Sequence, residues 1–302
     1  MKLLVCDPTD ASAIEAMREG GVEVVVQDDI TAEELEEVIA GYDAMVVRSR
    51  TKVREPLIDK ATNLKVIIRG GVGLDNIDVA YAESKGIEVR NTPEASTNAV
   101  AELVIGYMLA LVRQIPQVTA SMKAGQWEKK AFSKGTELAG KVLGVVGCGR
   151  IGTDVGRKAA ALGMEVLGCD PYVTKFDACM CAVDQEELLG RADFITIHVP
   201  YLDETRYLLG ENSFPKMKDG VYIINCGRGG TVDEAALYEA IVSGKVAGAA
   251  LDVFEDEKEE RGKSLMSLPQ VIGSPHIGAG TVEAKARVGE EVARIAVEFA
   301  NR

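Results

Sequence analysis

The stretch Val142–Asp170 constrains this chain more than any other. Val142–Val146 is an apolar run that reads as a buried strand. Gly147-x-Gly149-x-x-Gly152 follows and opens a run of helix formers ending at Gly163. A second short apolar run, Val166–Leu167, leads to Asp170. Strand, glycine turn, helix, strand and acid in that order predict a βαβ unit that binds a dinucleotide. The first glycine permits the tight turn, the second lets the backbone approach a pyrophosphate, and the third lets helix pack close to strand. The helix N-terminus offers unpaired N–H groups to the phosphates. Asp170 is placed to hydrogen-bond the ribose hydroxyls. Pro171 and Tyr172 follow it with no arginine alongside, which predicts NAD rather than NADP, because a 2′-phosphate would meet a carboxylate.

The rest of the chain extends this alternation. Strands are expected at Leu3–Cys6, Val22–Val26, Ala44–Val47, Lys65–Ile68 and Ile87–Val89, with helices at 11–19, 32–40, 55–61 and 79–85. After the fingerprint, strands follow at Phe194–Val199, Val221–Cys226, Ala247–Val253 and Val271–Ser274. Helices are expected at 185–189, 233–242 and 281–300. Alternating β and α elements predict an α/β protein of two doubly wound parallel-sheet domains, one flavodoxin-like and one Rossmann, with a cleft between. The last helix is expected to return to the first domain. Residues 1–97 with 278–302 then form a substrate-binding domain and 98–277 the NAD-binding domain. Residues 97–122 read as one long helix, apolar through its centre and so buried.

Net charge is −13 over 302 residues, which argues against nucleic acid or an anionic membrane as partner. No apolar run reaches membrane-spanning length. The six cysteines show no paired metal spacing, and several fall in predicted strands; no metal site is expected, and buried thiols in a reducing cytoplasm fit better than disulfides.

Ligands of parallel sheets sit at the carboxyl ends of strands. The first domain offers Arg48-Ser49-Arg50-Thr51 and Arg69-Gly70-Gly71-Val72-Gly73 there; the glycine turn could present N–H groups to a carboxylate as an anion nest does. The second offers His198-Val199-Pro200, Asn225-Cys226-Gly227-Arg228, Asp252 through Glu257, and Ser274-Pro275-His276-Ile277-Gly278. An arginine, a glutamate and a histidine over a nicotinamide suit hydride chemistry on a 2-hydroxyacid. The histidine takes the hydroxyl proton, the carboxylate orients it, and the guanidinium holds the substrate carboxylate. Of the two histidines, His198 lies in an apolar strand and reads as structural or cofactor-contacting. His276 lies in a loop that needs no histidine to fold, and reads as the acid–base.

Gly147–Gly152, Asn225–Glu234, Ala249–Glu257 and Ser274–Gly278 together resemble the D-isomer-specific 2-hydroxyacid dehydrogenases over essentially the whole chain. The resemblance implies catalysis by Arg228, Glu257 and His276. It implies NAD contacts from Arg150, Ile151, Asp170, Val199, Cys226, Asp252 and the His276 loop; Gly147, Gly149, Gly152, His198, Pro200, Gly227 and Gly278 complete that set. It also implies a homodimer formed around the long helix and Trp127. Within the family, Val46–Val53 and Arg69–Asp78 resemble the branch that oxidises D-3-phosphoglycerate. Arg48 and Arg69, with Ser49 and Gly71, then face a substrate phosphate, and Val72 and Gly73 bind the substrate carboxylate through backbone. Other readings are a glyoxylate or hydroxypyruvate reductase, and a non-catalytic NAD-sensing scaffold. Lys258 stands where the family usually has a proline after the catalytic glutamate, within the charged run Glu255–Lys263, and Glu255 is the alternative carboxylate. The end of the chain at Arg302 implies that regulatory domains carried by longer relatives, and serine feedback through them, are not expected.

Overall fold

Short runs rich in Val, Ile and Leu, each followed by a capped helix, bury both faces of their strands, and they assemble here into two all-parallel sheets. The computed structural model describes residues 1–256 and 265–302. It divides into two compact units, Met1–Ser96 with Ala279–Arg302, and Thr97–Gly278.

The first unit carries β1 (Lys2–Val5), β2 (Glu23–Val26), β3 (Ala44–Val47), β4 (Val66–Arg69) and β5 (Glu88–Asn91), in the order β2-β1-β3-β4-β5. This is the flavodoxin-like order, which brings β1 and β3 side by side at the switch point. Helices α1 (Ala11–Glu19), α2 (Ala32–Val38), α3 (Glu55–Lys60) and α4 (Val79–Ser84) connect the strands. Strand alternation separates two cores. Leu4, Met45, Val47 and Ile67 face one side, and Leu3, Val5, Val46 and Ile68 face the other. Each such fully buried aliphatic side chain contributes about 1.5–3 kcal/mol.

The second unit carries β6 (Val142–Val146), β7 (Glu165–Cys169), β8 (Cys181–Ala182), β9 (Phe194–Ile197), β10 (Val221–Asn225), β11 (Val246–Leu251) and β12 (Val271–Gly273), ordered β12-β11-β10-β9-β6-β7-β8. Its helices are α5 (Thr97–Arg113), α6 (Ile115–Lys123), α7 (Arg150–Ala161), α8 (Gln185–Arg191) and α9 (Glu234–Val242). Two features depart from the sequence reading. β8 was not foreseen: it pairs only two residues with β7, too few for a periodic signal. The expected single helix over 97–122 is two, bent by 61°. Pro116 has no N–H and its ring would clash with the carbonyl of Val112, so the helix breaks at Gln114, which turns left-handed (φ 50°). α5 is buried in the core of this unit, whereas α6 buries no residue. Among the described residues no single helix is long and apolar enough to cross a membrane.

The last helix, α10 (Val282–Ala300), returns to the first unit and lies along α1. Glycines allow the close approach. A Cβ on Gly20 would lie 2.3 Å from Val297, and one on Gly289 would lie 3.0 Å from Ala13. These pairs match start with start and end with end, so the two helices run the same way.

At the end of β9, His198 donates its backbone N–H to Val146 and pairs Nε2 with the Thr196 hydroxyl at 2.9 Å. By area it is half-buried, but its Nδ1 is shielded from water and has no partner, and desolvation pushes its pKa down to about 4. The ring is therefore neutral near neutral pH. In the unfolded chain the imidazole regains its ordinary value of 6.5 and takes up the proton first, so stability falls as pH drops from 6.5 towards about 4. His198→Gln is expected to flatten that limb of a plot of Tm against pH; a limb of unchanged steepness would remove the assignment.

Candidate active site

The glycine turn supplies three different environments. Gly147 has φ +89°, and a Cβ there would press on the His198 carbonyl at 2.9 Å. Gly152 faces the Gly147 carbonyl, which a Cβ would approach to 2.0 Å, so only glycine lets α7 sit this close to β6. Nothing lies within 4 Å of the Cβ position of Gly149. Gly149 is also the N-cap of α7 and caps with no side chain, so the first N–H groups of α7 open onto that space. An apolar core turn would be filled; this one leaves room where a pyrophosphate would meet a helix N-terminus. Asp170, at the end of β7, accepts from Cys148 N–H at 2.8 Å and from Tyr172 N–H at 2.9 Å, which holds its carboxylate beside the turn. The residues therefore fit a dinucleotide. Arg150 is exposed at the start of α7, and Ile151 is half-buried behind it; Val199 and Pro200 follow β9 on the far side of Gly147.

The next strand ends carry the residues that sequence reading assigned to catalysis. β10, β11 and β12 are neighbours, with Asn225 opposite Leu251 and Leu251 opposite Gly273. The loops after them therefore start side by side. Asn225 is buried, and its amide donates to the Arg228 carbonyl at 2.9 Å while its oxygen accepts from Gly227 N–H at 3.0 Å. These bonds fold the Arg228 loop back on its strand. Arg228 is half-buried and donates to the Gly227 carbonyl at 2.8 Å. Cys226 lies buried beneath it, and burial pushes its thiol well up, so it is not a nucleophile.

Asp252 is 1% exposed, and its backbone N–H donates to Asn225. Its carboxylate accepts from Ile277 N–H at 2.8 Å, Gly278 N–H at 2.7 Å and the Ser274 hydroxyl, and its carbonyl accepts from His276 N–H at 2.9 Å. The Ser274 hydroxyl also meets Tyr107 of α5. One buried carboxylate thus shapes the whole loop that displays His276, which is exposed and left-handed at φ 54°. Sequence reading assigned Asp252 to the cofactor alone; this positioning role was not foreseen. Glu257, with Lys258 and Lys263, lies outside the described residues. Glu255, the alternative carboxylate, donates its N–H to Glu234 at 2.6 Å, and the nearby Glu255 carboxylate raises the pKa of the Tyr207 phenol.

In the first unit, the fully buried Asp7 follows β1 and gathers the loop after β3. It accepts from Arg48 N–H, Thr51 N–H at 3.3 Å, the Thr51 hydroxyl at 2.8 Å and Arg50 Nε at 3.0 Å. From the other side, the buried Asn76 amide donates to the carbonyls of Arg48 at 2.8 Å and Thr51 at 2.7 Å. Neither residue was singled out from sequence; both are short polar groups beside apolar strands, and only the fold shows what they hold. Arg48 continues the Val46 face of the sheet and Arg69 the Ile67 face, so the two arginines leave on opposite sides. Arg69 donates to Ser49 Oγ at 3.3 Å and to the Gly70 carbonyl at 3.3 Å. Its guanidinium lies over Gly71 (φ +142°), where a Cβ would come within 1.4 Å. Val72 and Gly73 continue the turn, and Asn91 donates to the Val72 carbonyl at 2.6 Å.

Comparison with known proteins agrees with this arrangement. A model of the D-isomer specific 2-hydroxyacid dehydrogenase NAD binding domain matches residues 105–278. The D-3-phosphoglycerate dehydrogenase of Methanocaldococcus jannaschii is 51% identical over 97% of this chain, which spans 56% of that relative's length. The hydroxypyruvate reductase of Thermotoga maritima is 48% identical over 95% of this chain and 94% of its own. A crystal structure of D-lactate dehydrogenase from Aquifex aeolicus, complexed with NAD and lactic acid, superposes with a TM-score of 0.88 at 30% identity, covering 100% of this chain and 96% of that one. This chain therefore belongs to the D-isomer specific 2-hydroxyacid dehydrogenases and carries their NAD-binding domain.

Proposed function

We propose that the protein oxidises D-3-phosphoglycerate to 3-phosphohydroxypyruvate, the entry step of serine synthesis, with NAD as hydride acceptor. The observation that supports the substrate is that two cations stand at the carboxyl ends of adjacent strands in a chain of net charge −13, Arg48 just past β3 on one face and Arg69 at the end of β4 on the other. A phosphorylated acid needs such cations; an unphosphorylated one does not. A second reading keeps the chemistry and takes hydroxypyruvate or glyoxylate. Its support is the match to nearly the full length of the Thermotoga hydroxypyruvate reductase, against just over half of the archaeal phosphoglycerate enzyme.

The chemistry divides among named groups. The bound nicotinamide supplies the hydride acceptor. The Arg228 guanidinium holds the substrate carboxylate and polarises the C2 oxygen. The glycine turn at Val72 and Gly73 offers N–H groups suited to a carboxylate. His276 takes the hydroxyl proton as the C2 hydrogen leaves as hydride, so the C2–O bond becomes a carbonyl, and Glu257 orients its ring and stabilises the imidazolium. Asp252 fixes the His276 backbone by the bonds described above. Asp170 selects NAD by repelling a 2′-phosphate. Six free thiols suit a reducing, cytoplasmic setting. Ile115 and Met122 of α6 and Trp127 beyond it are exposed, Trp127 at 81%, and offer apolar contacts suited to a second copy of the chain.

The deciding experiment is a substrate panel followed by NADH absorbance, with 3-phosphoglycerate, D-glycerate, D-lactate and hydroxypyruvate; the proposal requires 3-phosphoglycerate to give the highest kcat/KM. His276→Ala should lower kcat by about 10²–10⁴-fold while NAD affinity holds, and unaltered turnover would move the proton role elsewhere. Arg69→Ala should raise KM for 3-phosphoglycerate far more than for D-glycerate; equal effects on both would detach Arg69 from the phosphate. Asp170→Ala should narrow the gap between NAD and NADP, measured as the ratio of their kcat/KM values.

A further inference from the structure

A cavity of about 220 Å³ lies wholly within the first unit, lined by the loop before α1, the ends of β3 and β4, and the first turns of α10. Arg48 and Lys285 both line it. Most cations of this unit are engaged: Arg50, Arg54, Lys60, Lys65, Lys85 and Arg90 all sit in ion pairs. Among the described residues, the side chains of Arg48 and Lys285 make no hydrogen bond or ion pair; Arg48 is held only through its backbone. Neither cation is paired with an acid among the described residues, so both are open to an anion that enters the cavity.

The fold explains why they meet. Strand alternation turns Arg48 to the same side as Val46, which is the side covered by α10. Gly289 lets α10 settle against α1, and Lys285 lies one turn earlier, at the rim. Asp10 also lines the cavity, but its Oδ1 accepts from Ser12 N–H at 2.9 Å and Ser12 Oγ at 2.6 Å as the N-cap of α1. One capping carboxylate against two cations leaves the cavity net positive, and the positive end of the nine-residue α1 adds to it.

We infer that this cavity is a binding site for a phosphate-class dianion, with Arg48 and Lys285 as its cations. Lys285 belongs to none of the motifs that define the dehydrogenase site. The site is complete within one unit and does not require the proposed substrate; it rests on that reading only for the source of the phosphate, which is the substrate's own group or free phosphate.

The test titrates inorganic phosphate into the whole protein by calorimetry at constant ionic strength. It compares the native chain with Lys285→Ala and Lys285→Arg, substitutions at an exposed helix position. Native protein should bind phosphate, Lys285→Ala should weaken it by about tenfold or more, and Lys285→Arg should hold it within about twofold. No phosphate uptake by native protein, or equal uptake by the alanine variant, overturns the inference. Where phosphate binds as expected, competition with 3-phosphoglycerate identifies the substrate's group, and binding without competition identifies free phosphate. A protein that binds phosphate through Lys285 but does not oxidise 3-phosphoglycerate keeps the site and loses the proposed substrate.

Discussion

The candidate site residues sit largely on loops at the carboxyl ends of parallel strands, and two buried aspartates fix the loops that carry Arg48 and His276. In the second unit, Asp252 satisfies Ile277 N–H, Gly278 N–H and the Ser274 hydroxyl, with its carboxylate almost wholly shielded from water. In the first unit, Asp7 does the same for Arg48 N–H and for both the N–H and hydroxyl of Thr51. A buried carboxylate is costly unless its lone pairs are filled. Here backbone N–H groups, the hydroxyls of Thr51 and Ser274 and, at Asp7, the Arg50 guanidinium fill them, so the cost of burying the charge is offset by the ordering of a loop that no strand or helix would order. A hydrogen bond to a charged group contributes about 1.5–3 kcal/mol, enough to hold a loop of this length in one conformation. The left-handed backbone of His276 is strained for a side chain other than glycine, and it is the surrounding Asp252 bonds that make it tolerable.

The same logic separates what was legible in the sequence from what was not. The βαβ fingerprint was legible because most of its demands are local: Gly147 takes a positive φ, Gly152 faces the Gly147 carbonyl and Gly149 opens on space. Strand positions were legible because apolar runs bounded by glycine and acid permit little else. The bend at Gln114 could have been read from Pro116, since proline in a helix interior removes a bond and adds a clash, but the apolar pattern ran straight across it. β8 left no trace because two residues cannot show a period.

The site was legible as a set of residue types and not as a geometry. Arg228 and His276 stand out as polar residues at strand ends, whereas Asn225, Asp252 and Asn76, which position the loops, resemble ordinary turn residues until their partners are known. The two arginines of the first unit illustrate the limit most clearly. Both follow the apolar runs of adjacent strands, and reading them as one phosphate clamp ignores that Arg48 and Arg69 differ by one step of strand alternation relative to their paired neighbours. Register, which is a property of the sheet, puts them on opposite faces.

A net charge of −13 might be thought to repel any anionic substrate. Screening makes the total less important than its distribution, since at physiological ionic strength charges beyond about 8 Å are largely masked at the surface. Several carboxylates are moreover held close to their own donors: Glu34 to Thr31, Asp59 to Lys85 and Tyr81, Asp177 to Arg157. What an arriving anion meets at close range is then set by the few cations left without acids. In the first unit Arg48 and Lys285 are two such cations, lining one cavity with the positive end of a helix. An acidic surface and a basic site are therefore compatible, and the surrounding negative field discourages anions from settling anywhere else.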